Sequence, residues 1–305
     1  MIKKYYKMYA GIIFVLLLAL LYIIIRHNQI IDSFELLDTN HPKTIYLIWR
    51  NMSPVPEIGI TLVGFGDKVR GAIALYQYCR INKVNLKIDI HQDTSQHYLN
   101  FPSVETKYND HELHDVSSDT ENTINNLLRD KLIIYCVCNS YPSSLTDEDK
   151  AFAKHLLEPT PEFKKDIDAR VATLPLGYGI KHYRFKDELI GQDISNETFS
   201  RCFNNLKSTL KETDVLMTNS SSFRKYAVEN LNIKTVECKQ SEEEDCNLAH
   251  IGTTPDYKSS KFSYVEFFCI CRAKYIDSYS EYGCVSGFVQ WPSSIFDIPI
   301  SQISL

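Results

Sequence analysis

"IGITLVGFGDKVRGAIALYQYCRINKVNLKIDI", Ile58 to Ile90, decides the fold class. An apolar, β-branched run closes on Gly64 and Gly66. From Asp67 the periodicity becomes helical: Val69, Ala72, Ile73, Tyr76 and Cys79 recur on one face at three- and four-residue spacing. "VNLKIDI" (Val84–Ile90) then reads as a strand. Strand, glycine turn, helix and strand, in that order, describe a parallel βαβ unit.

The same rhythm extends in both directions. Upstream, "TIYLIW" (Thr44–Trp49) reads as a strand and residues 26–43 as a short stem. Downstream, residues 91–126 are polar and irregular, which reads as long loops or an insertion. "KLIIYCVC" (Lys131–Cys138) is a strand, and "SSLTDEDKAFAKHLL" a helix with Thr146 as N-cap and acids in its first turn. Beyond the prolines at 159 and 161 the alternation resumes. "PEFKKDIDARVATL" is helical, "GYGIKHYR" a strand, "NETFSRCFNNLKSTLKE" a helix and "TDVLMTN" a strand. "SSFRKYAVENL", "IKTVEC", "YVEFFCICRA" and "KYIDSYS" repeat helix and strand twice more. Such alternation predicts an α/β fold with parallel sheets. The proline break divides it into two Rossmann-like domains, residues 44–160 and 161–305.

The 305 residues are enough for a sizeable core, and 44% of them are hydrophobic, which suits a packed globule. A net charge of -5 and a pI near 6.0 argue against broad nucleic-acid binding. Residues 1–7 read as a cytoplasmic tail. "MYAGIIFVLLLALLYIII" (Met8–Ile25) carries no charge. As a helix it would reach roughly 27 Å, close to the hydrocarbon thickness of a bilayer. Lys3, Lys4 and Lys7 precede it, and no small-x-small cleavage site closes it. The expectation is a retained signal anchor in the lipid bilayer, with a type II topology that suits a Golgi or ER enzyme. Asn51, Asn196 and Asn219 open N-x-Ser/Thr sequons, which matter only in a secretory compartment. Of nine cysteines, Cys238 and Cys246 are the best local candidates for pairing. Cys136/Cys138 and Cys269/Cys271 lack zinc spacing, and "HELHD" (His111–Asp115) is one residue too close for a zinc-protease motif.

In parallel α/β sheets ligands sit at the carboxyl ends of strands, where helix N-termini present free N–H groups. Three stretches fall there. "GFGDKVRG" (Gly64–Gly71) allows close backbone approach to an anion, but lacks the third spaced glycine of a dinucleotide fingerprint, since position 69 is Val, and the Gly-Lys-Ser/Thr of a P-loop. A tight turn before a helix explains it equally well. In "GYGIKHYRFKDEL" (Gly177–Leu189), Arg184 can hold a phosphate through two parallel N–H bonds, His182 projects from the same strand face, and Asp187 can steady Arg184. The plain alternative is a wet strand end with an Arg–Asp pair. In "LMTNSSSFRKYA" (Leu216–Ala227), hydroxyls before a helix suit a phosphate or ribose, and also suit an ordinary N-cap by Ser220 or Ser221.

The order of these stretches resembles the fucosyltransferase superfamily of GDP-fucose-dependent enzymes. That group includes α-1,6- and α-1,2-fucosyltransferases and protein O-fucosyltransferases. Its pattern is a Gly-x-Gly-Asp/Asn loop, a central His-x-Arg-x-x-Asp, a strand ending in Thr/Ser-Asp, and a C-terminal helix–strand–Ser segment. "GFGDKVRG", "HYRFKD", "LMTNSSS" and "FFCICRAKYIDSYSEYG" are similar to these and together span residues 59–290. The resemblance implies a GT-B-like fold of two Rossmann-like domains. It implies a β-phosphate contact for Arg184, a place near the nucleotide for His182, and a matching Asp in Asp187. The late phosphate-binding Ser falls on Ser280, or equally on Ser278. Gly64, Gly66 and Asp67 would line the cleft, and Asn219, Ser220 and Ser221 would flank the donor. Asn219 stands where the family usually has Asp, and Lys186 where many members have Gly or Thr.

The implied chemistry is an inverting sugar transfer from a nucleotide-sugar donor, GDP-fucose, to a glycan or glycoprotein acceptor. Arg184 would stabilise the leaving diphosphate without a metal or other cofactor, and Asp67 and Asp187 are the candidate general bases. Two rivals stand beside it. A metal-dependent GT-A glycosyltransferase would need an Asp-x-Asp at a strand end, for which "DED" (Asp147–Asp149) and "DID" (Asp166–Asp168) are available in helix-like surroundings. A non-catalytic membrane protein retaining the fold is the other.

Overall fold

The computed structural model of the chain describes residues 43–51, 64–186, 196–239 and 256–305. The first sheet contains β1 (Thr44–Arg50), β2 (Asn85–Gln92), β3 (Leu113–Asp115) and β4 (Ile133–Val137), in the order β2-β1-β4-β3 and parallel throughout. The second contains β5 (Gly179–Arg184), β6 (Asp214–Thr218), β7 (Lys234–Thr235), β8 (Ile276–Ser280) and β9 (Ile300–Gln302). Its order is β7-β6-β5-β8-β9, again all parallel. Helices α1 (Phe65–Asn82), α2 (Thr120–Asp130), α3 (Asp147–Leu156) and α4 (Pro161–Val171) accompany the first half. Helices α5 (Asn196–Thr209), α6 (Ser221–Leu231), α7 (Tyr257–Ile270) and α8 (Gly287–Phe296) accompany the second. Two parallel sheets with helical crossovers make an α/β protein, as the alternation predicted, and fit the GT-B-like architecture that the resemblance implied.

Three segments differ from the sequence reading. Helix α1 begins at Phe65, two residues before Asp67. The reason is local: Asp67 accepts the Gly64 N–H at 3.2 Å and so satisfies a free donor at the helix start, while Phe65 inserts edge-on against Tyr264 and Phe267. The polar stretch 91–126 holds β3 and the start of α2. Only Ile124 and Leu128 of α2 are buried, so most of its surface is polar and the apolar stripe is too thin to stand out. Beyond Ser280 lie α8 and β9, to which the helix and strand alternation assigned no elements.

One hydrophobic core runs through both halves. It joins Ile45 and Leu47 of β1 to Ile180 of β5, Val215 of β6 and Ile276 of β8, through α1, α3, α4, α7 and α8. A smaller core lies on the opposite face of the second sheet, where Tyr183, Leu216 and Phe223 pack with Cys202 and Leu206 of α5. Side chains alternate across a strand, so β5 presents Ile180, His182 and Arg184 to the main core side and Lys181 and Tyr183 to the other. Lys181 is buried there between Asp277 at 2.8 Å and Asp214 at 3.7 Å.

Two glycines of α1 allow this packing. A Cβ on Gly66 would lie 2.6 Å from the backbone carbon of Gly287, at the start of α8. A Cβ on Gly71 would lie 1.8 Å from the carbonyl oxygen of Cys138, just past β4. In both cases the obstruction is backbone, which no rotamer can relieve.

The Asp-x-Asp stretches are engaged otherwise. Thr146 caps α3, and buried Asp149 accepts from Gln77, from the Thr146 N–H and from its hydroxyl, while pairing with Arg80. Asp166 faces Arg170, Lys239 and Lys261, and Asp168 faces Lys164 and Arg272. No group of three or more His, Cys, Asp or Glu that could hold a metal ion occurs among the described residues. Cys238 is disulfide-bonded, its expected partner Cys246 lies outside the described residues, and the seven other cysteines are free. No helix among the described residues is long and apolar enough to cross a membrane, and residues 8–25 lie outside them.

Gly71→Ala should lower stability by about 2–3 kcal/mol, the cost of forcing an atom into a packed backbone contact. Gly66→Ala should fall in the same range. Denaturant midpoints of the full chain measure both, and unchanged midpoints would mean that the helices do not approach so closely.

Candidate functional site

From β5 the chain winds outward to β6 and β7 on one side; β8 and β9 then fill the other. The carboxyl ends of β5 and β8 are therefore the topological switch point of this sheet, where a crevice opens in doubly wound folds. Arg184 ends β5 and stands in register with Ser280, which ends β8. One step into the core on the same face, His182 stands in register with Ser278, and Nδ1 lies 3.0 Å from the Ser278 hydroxyl. The row thus passes from apolar Ile180 through buried His182 to half-buried Arg184.

Burial, helped by the neighbouring Arg184 charge, pushes the His182 pKa down to about 3. The imidazole is neutral near pH 7, so it anchors Ser278 without adding a second cation beside Arg184.

The backbone around Arg184 is fastened from both sides. On the β8 side its carbonyl accepts the Glu281 N–H at 3.0 Å, and the Glu281 carboxylate accepts the Lys186 N–H at 2.8 Å. On the β6 side Asn219 accepts the Phe185 N–H at 2.8 Å and donates to the Phe185 carbonyl at 2.8 Å. Asn219 is thereby a clasp between strand ends. An aspartate could accept from Phe185 but could not donate to its carbonyl, which accounts for an amide at this position. The guanidinium of Arg184 lies 6.0 Å from the ring centre of Tyr282, in the turn after β8.

Helix α6 begins beside this clasp. Ser220 is its N-cap: the buried hydroxyl accepts the Phe223 N–H at 3.2 Å and lies 3.2 Å from the Ser222 hydroxyl. Ser221 is exposed at the first helical position. The α6 N-terminus therefore faces the same edge as Arg184, with its positive helix-dipole end outward.

Gly64, Gly66 and Asp67 belong to the carboxyl edge of the first sheet. Gly66 lies against Gly287, so its lack of a side chain serves helix contact. Asp67 completes the α1 cap and pairs with Arg70 at 3.0 Å. Asp187 lies outside the described residues.

The structure adds residues that sequence reasoning missed. Arg224 of α6 donates to the Thr218 carbonyl at 3.1 Å and to Glu266 of α7 at 2.6 Å, tying the end of β6 to the main core. Burial raises the Glu266 pKa, and the Arg224 charge opposes the rise. Glu281 and Tyr282 carried no signal either, because their roles depend on which strand lies beside β5.

A parallel sheet with Arg184 at its switch point, joined to a second parallel sheet, defines a GT-B-like α/β protein. Solved structures share that fold. NodZ α-1,6-fucosyltransferase soaked with GDP-fucose matches with a TM-score of 0.52 at 11% identity, over 86% of this chain and 95% of that one. Fucosyltransferase NodZ from Bradyrhizobium matches at 0.51 and 12% identity, over the same 86% and 95%. A mutant of Arabidopsis thaliana FUT1 in complex with GDP matches at 0.52 and 8% identity, over 89% of this chain and 73% of that one. At such identities the likeness is one of fold. No protein-family model and no curated protein matches the sequence.

His182 yields a signed pH prediction. Its pKa is about 3 in the folded chain against 6.5 for an unperturbed imidazole, so the unfolded chain binds more protons between those values. The stability it contributes is complete above about pH 6.5 and is lost as pH falls toward about 3. His182→Gln should remove this slope, so the stability gap between wild type and variant should shrink by roughly 1–2 kcal/mol from pH 7 to pH 5. Denaturation curves at the two pH values measure it, and a constant gap would mean that the imidazole titrates normally.

Proposed function

We propose that this chain is a glycosyltransferase that moves fucose from GDP-fucose to a glycan or glycoprotein acceptor, with inversion at the sugar C1. The observation that carries the reading is Arg184 at the switch point, in register with Ser280 and beside the N-terminus of α6. It is supported by a fold shared with fucosyltransferases whose structures hold GDP or GDP-fucose.

In the reaction, an acceptor hydroxyl oxygen bonds to C1 of the sugar while the bond from C1 to the β-phosphate oxygen breaks. The electron pair leaves with the diphosphate. Arg184 neutralises that charge as it develops, and the α6 N–H groups with Ser221 and Ser280 bind the phosphates. The acceptor proton goes to a carboxylate. Asp67 already accepts the Gly64 N–H and pairs with Arg70, so Asp187 is assigned the base. Gly66 brings the first-sheet edge up to the donor through its contact with α8, and Gly64 precedes it at the helix start. His182 and Asn219 act by holding the strand ends that carry Arg184. The Asn219 departure would otherwise favour a binding-only protein, but its clasp on Phe185 supplies a structural reason for the amide.

We also propose a type II membrane anchor at residues 8–25 with a lumenal enzyme domain, in the Golgi or ER. The disulfide at Cys238 supports an oxidising compartment. Of the three sequons, Asn51 is buried and bonded to Thr94 and Lys68, and Asn219 is clasped to Phe185. Only Asn196 should carry a glycan, so Asn196→Gln should abolish any glycosidase-sensitive mobility shift. A shift surviving that change would refute the assignment.

The central test mixes the full chain with GDP-fucose and follows GDP. Arg184→Ala should lower kcat/KM by about 100-fold or more, the usual loss on removing a donor aimed at developing charge. EDTA should leave turnover unchanged. Absence of GDP binding by the wild type, or an unimpaired Arg184→Ala, would sink the reading.

A further inference from the structure

The proposed reaction leaves the acceptor without a seat, and the carboxyl edge of the first sheet contains an unassigned group. Arg70 and Tyr141 meet there with the guanidinium 3.9 Å from the ring centre. Arg70 is held in place: Nε donates to the Asn139 carbonyl at 2.5 Å, and the other end pairs with Asp67 at 3.0 Å. Its side chain is only 12% exposed. Tyr141 is 68% exposed although one face of its ring lies on that cation, so the other face is open to water. A fixed tyrosine with one face open is costly to leave in solvent and well suited to a flat apolar partner.

Its place matters as much as its exposure. Arg70 follows Gly66 by one helical turn, on the same face of α1. Gly66 abuts Gly287 at the start of α8, and α8 is joined to Ser280 by the turn that carries Tyr282. Tyr141, Arg70 and Asp67 therefore flank one side of the inter-sheet junction, and Arg184 with Ser280 the other. Each side has a tyrosine beside an arginine, but only the Arg184 side has the α6 N-terminus for a diphosphate. On the Tyr141 side Asp67 occupies the guanidinium, so little positive charge remains for an anion. What it offers is an aromatic face edged by a carboxylate that is 37% exposed. That combination fits a neutral sugar ring, whose C–H face covers the tyrosine while ring hydroxyls donate to Asp67.

We infer that Tyr141, on its Arg70–Asp67 support, is the subsite for a neutral pyranose ring of the acceptor glycan. The inference rests on the glycosyltransferase reading for the word acceptor, but its test does not depend on turnover. The full chain and its Tyr141→Trp and Tyr141→Ala variants are titrated with a panel of neutral oligosaccharides of hexose and N-acetylhexosamine units. Binding is read by saturation-transfer NMR, and GDP binding is measured on the same samples. At least one oligosaccharide should bind the wild type and Tyr141→Trp, and Tyr141→Ala should weaken it roughly tenfold or more, as for a central aromatic contact. GDP should bind all three alike, and equal melting temperatures would show that the exposed ring is not needed for folding. Failure of every oligosaccharide at millimolar concentration, or equal binding by Tyr141→Ala, overturns the subsite. A chain that binds oligosaccharide through Tyr141 but not GDP overturns the donor reading instead and leaves this one standing.

Discussion

Two helix N-termini, one from each half of the chain, meet at Gly66 and Gly287 with no side chain between them. Everything at the junction depends on that approach. Helix ends of like dipole sign repel, so the contact needs compensation. Asp67 is the one acid in the first turns of α1 and α8, and it lies one residue from the contact. Gly66 of the Gly64–Gly71 stretch is thus part of the joint between the two halves of the chain. Its placement of α8 also fixes the turn after β8, which carries Glu281 and Tyr282 to Arg184.

The backbone around Arg184 is held firmly from both sides. The strand ends on either side are tied to it by Glu281 and by the Asn219 amide. On the same face of β5, the His182 imidazole is kept neutral by burial. A charged imidazole at His182 would have raised the cost of holding Arg184. Arg224 also sits near a strand end, where Glu266 and the Thr218 carbonyl accept from it, so it serves as a structural tie.

Much of the fold could be read from local signals. Strand and helix alternation announced parallel sheets, and Thr146 marked the start of α3 because its hydroxyl and Asp149 cap each other within four consecutive residues. Helix α6 was legible for the same reason, with Ser220 as its cap. Helix α2 was hidden because only two of its side chains reach the core, and α8 because its apolar face has meaning only against α1, α3 and α7. At the site, Arg184 and His182 stood out by residue type and spacing. Glu281 and Tyr282 did not, since their partners lie on another strand, and Ser278 was singled out without its partner His182.

By itself the sequence determined what a few neighbouring residues can settle: element types, caps, the alternation that selects parallel sheets, and an arginine at a strand end. Only the tertiary structure decided that Ser280 faces Arg184, that Ser278 takes His182 across 96 residues of chain, and that Asn219 holds Phe185. The reason is physical. Propensity and capping act within a turn or two of chain. Strand order and register come from burying apolar faces of distant segments together, and no local pattern records which segment arrives beside which.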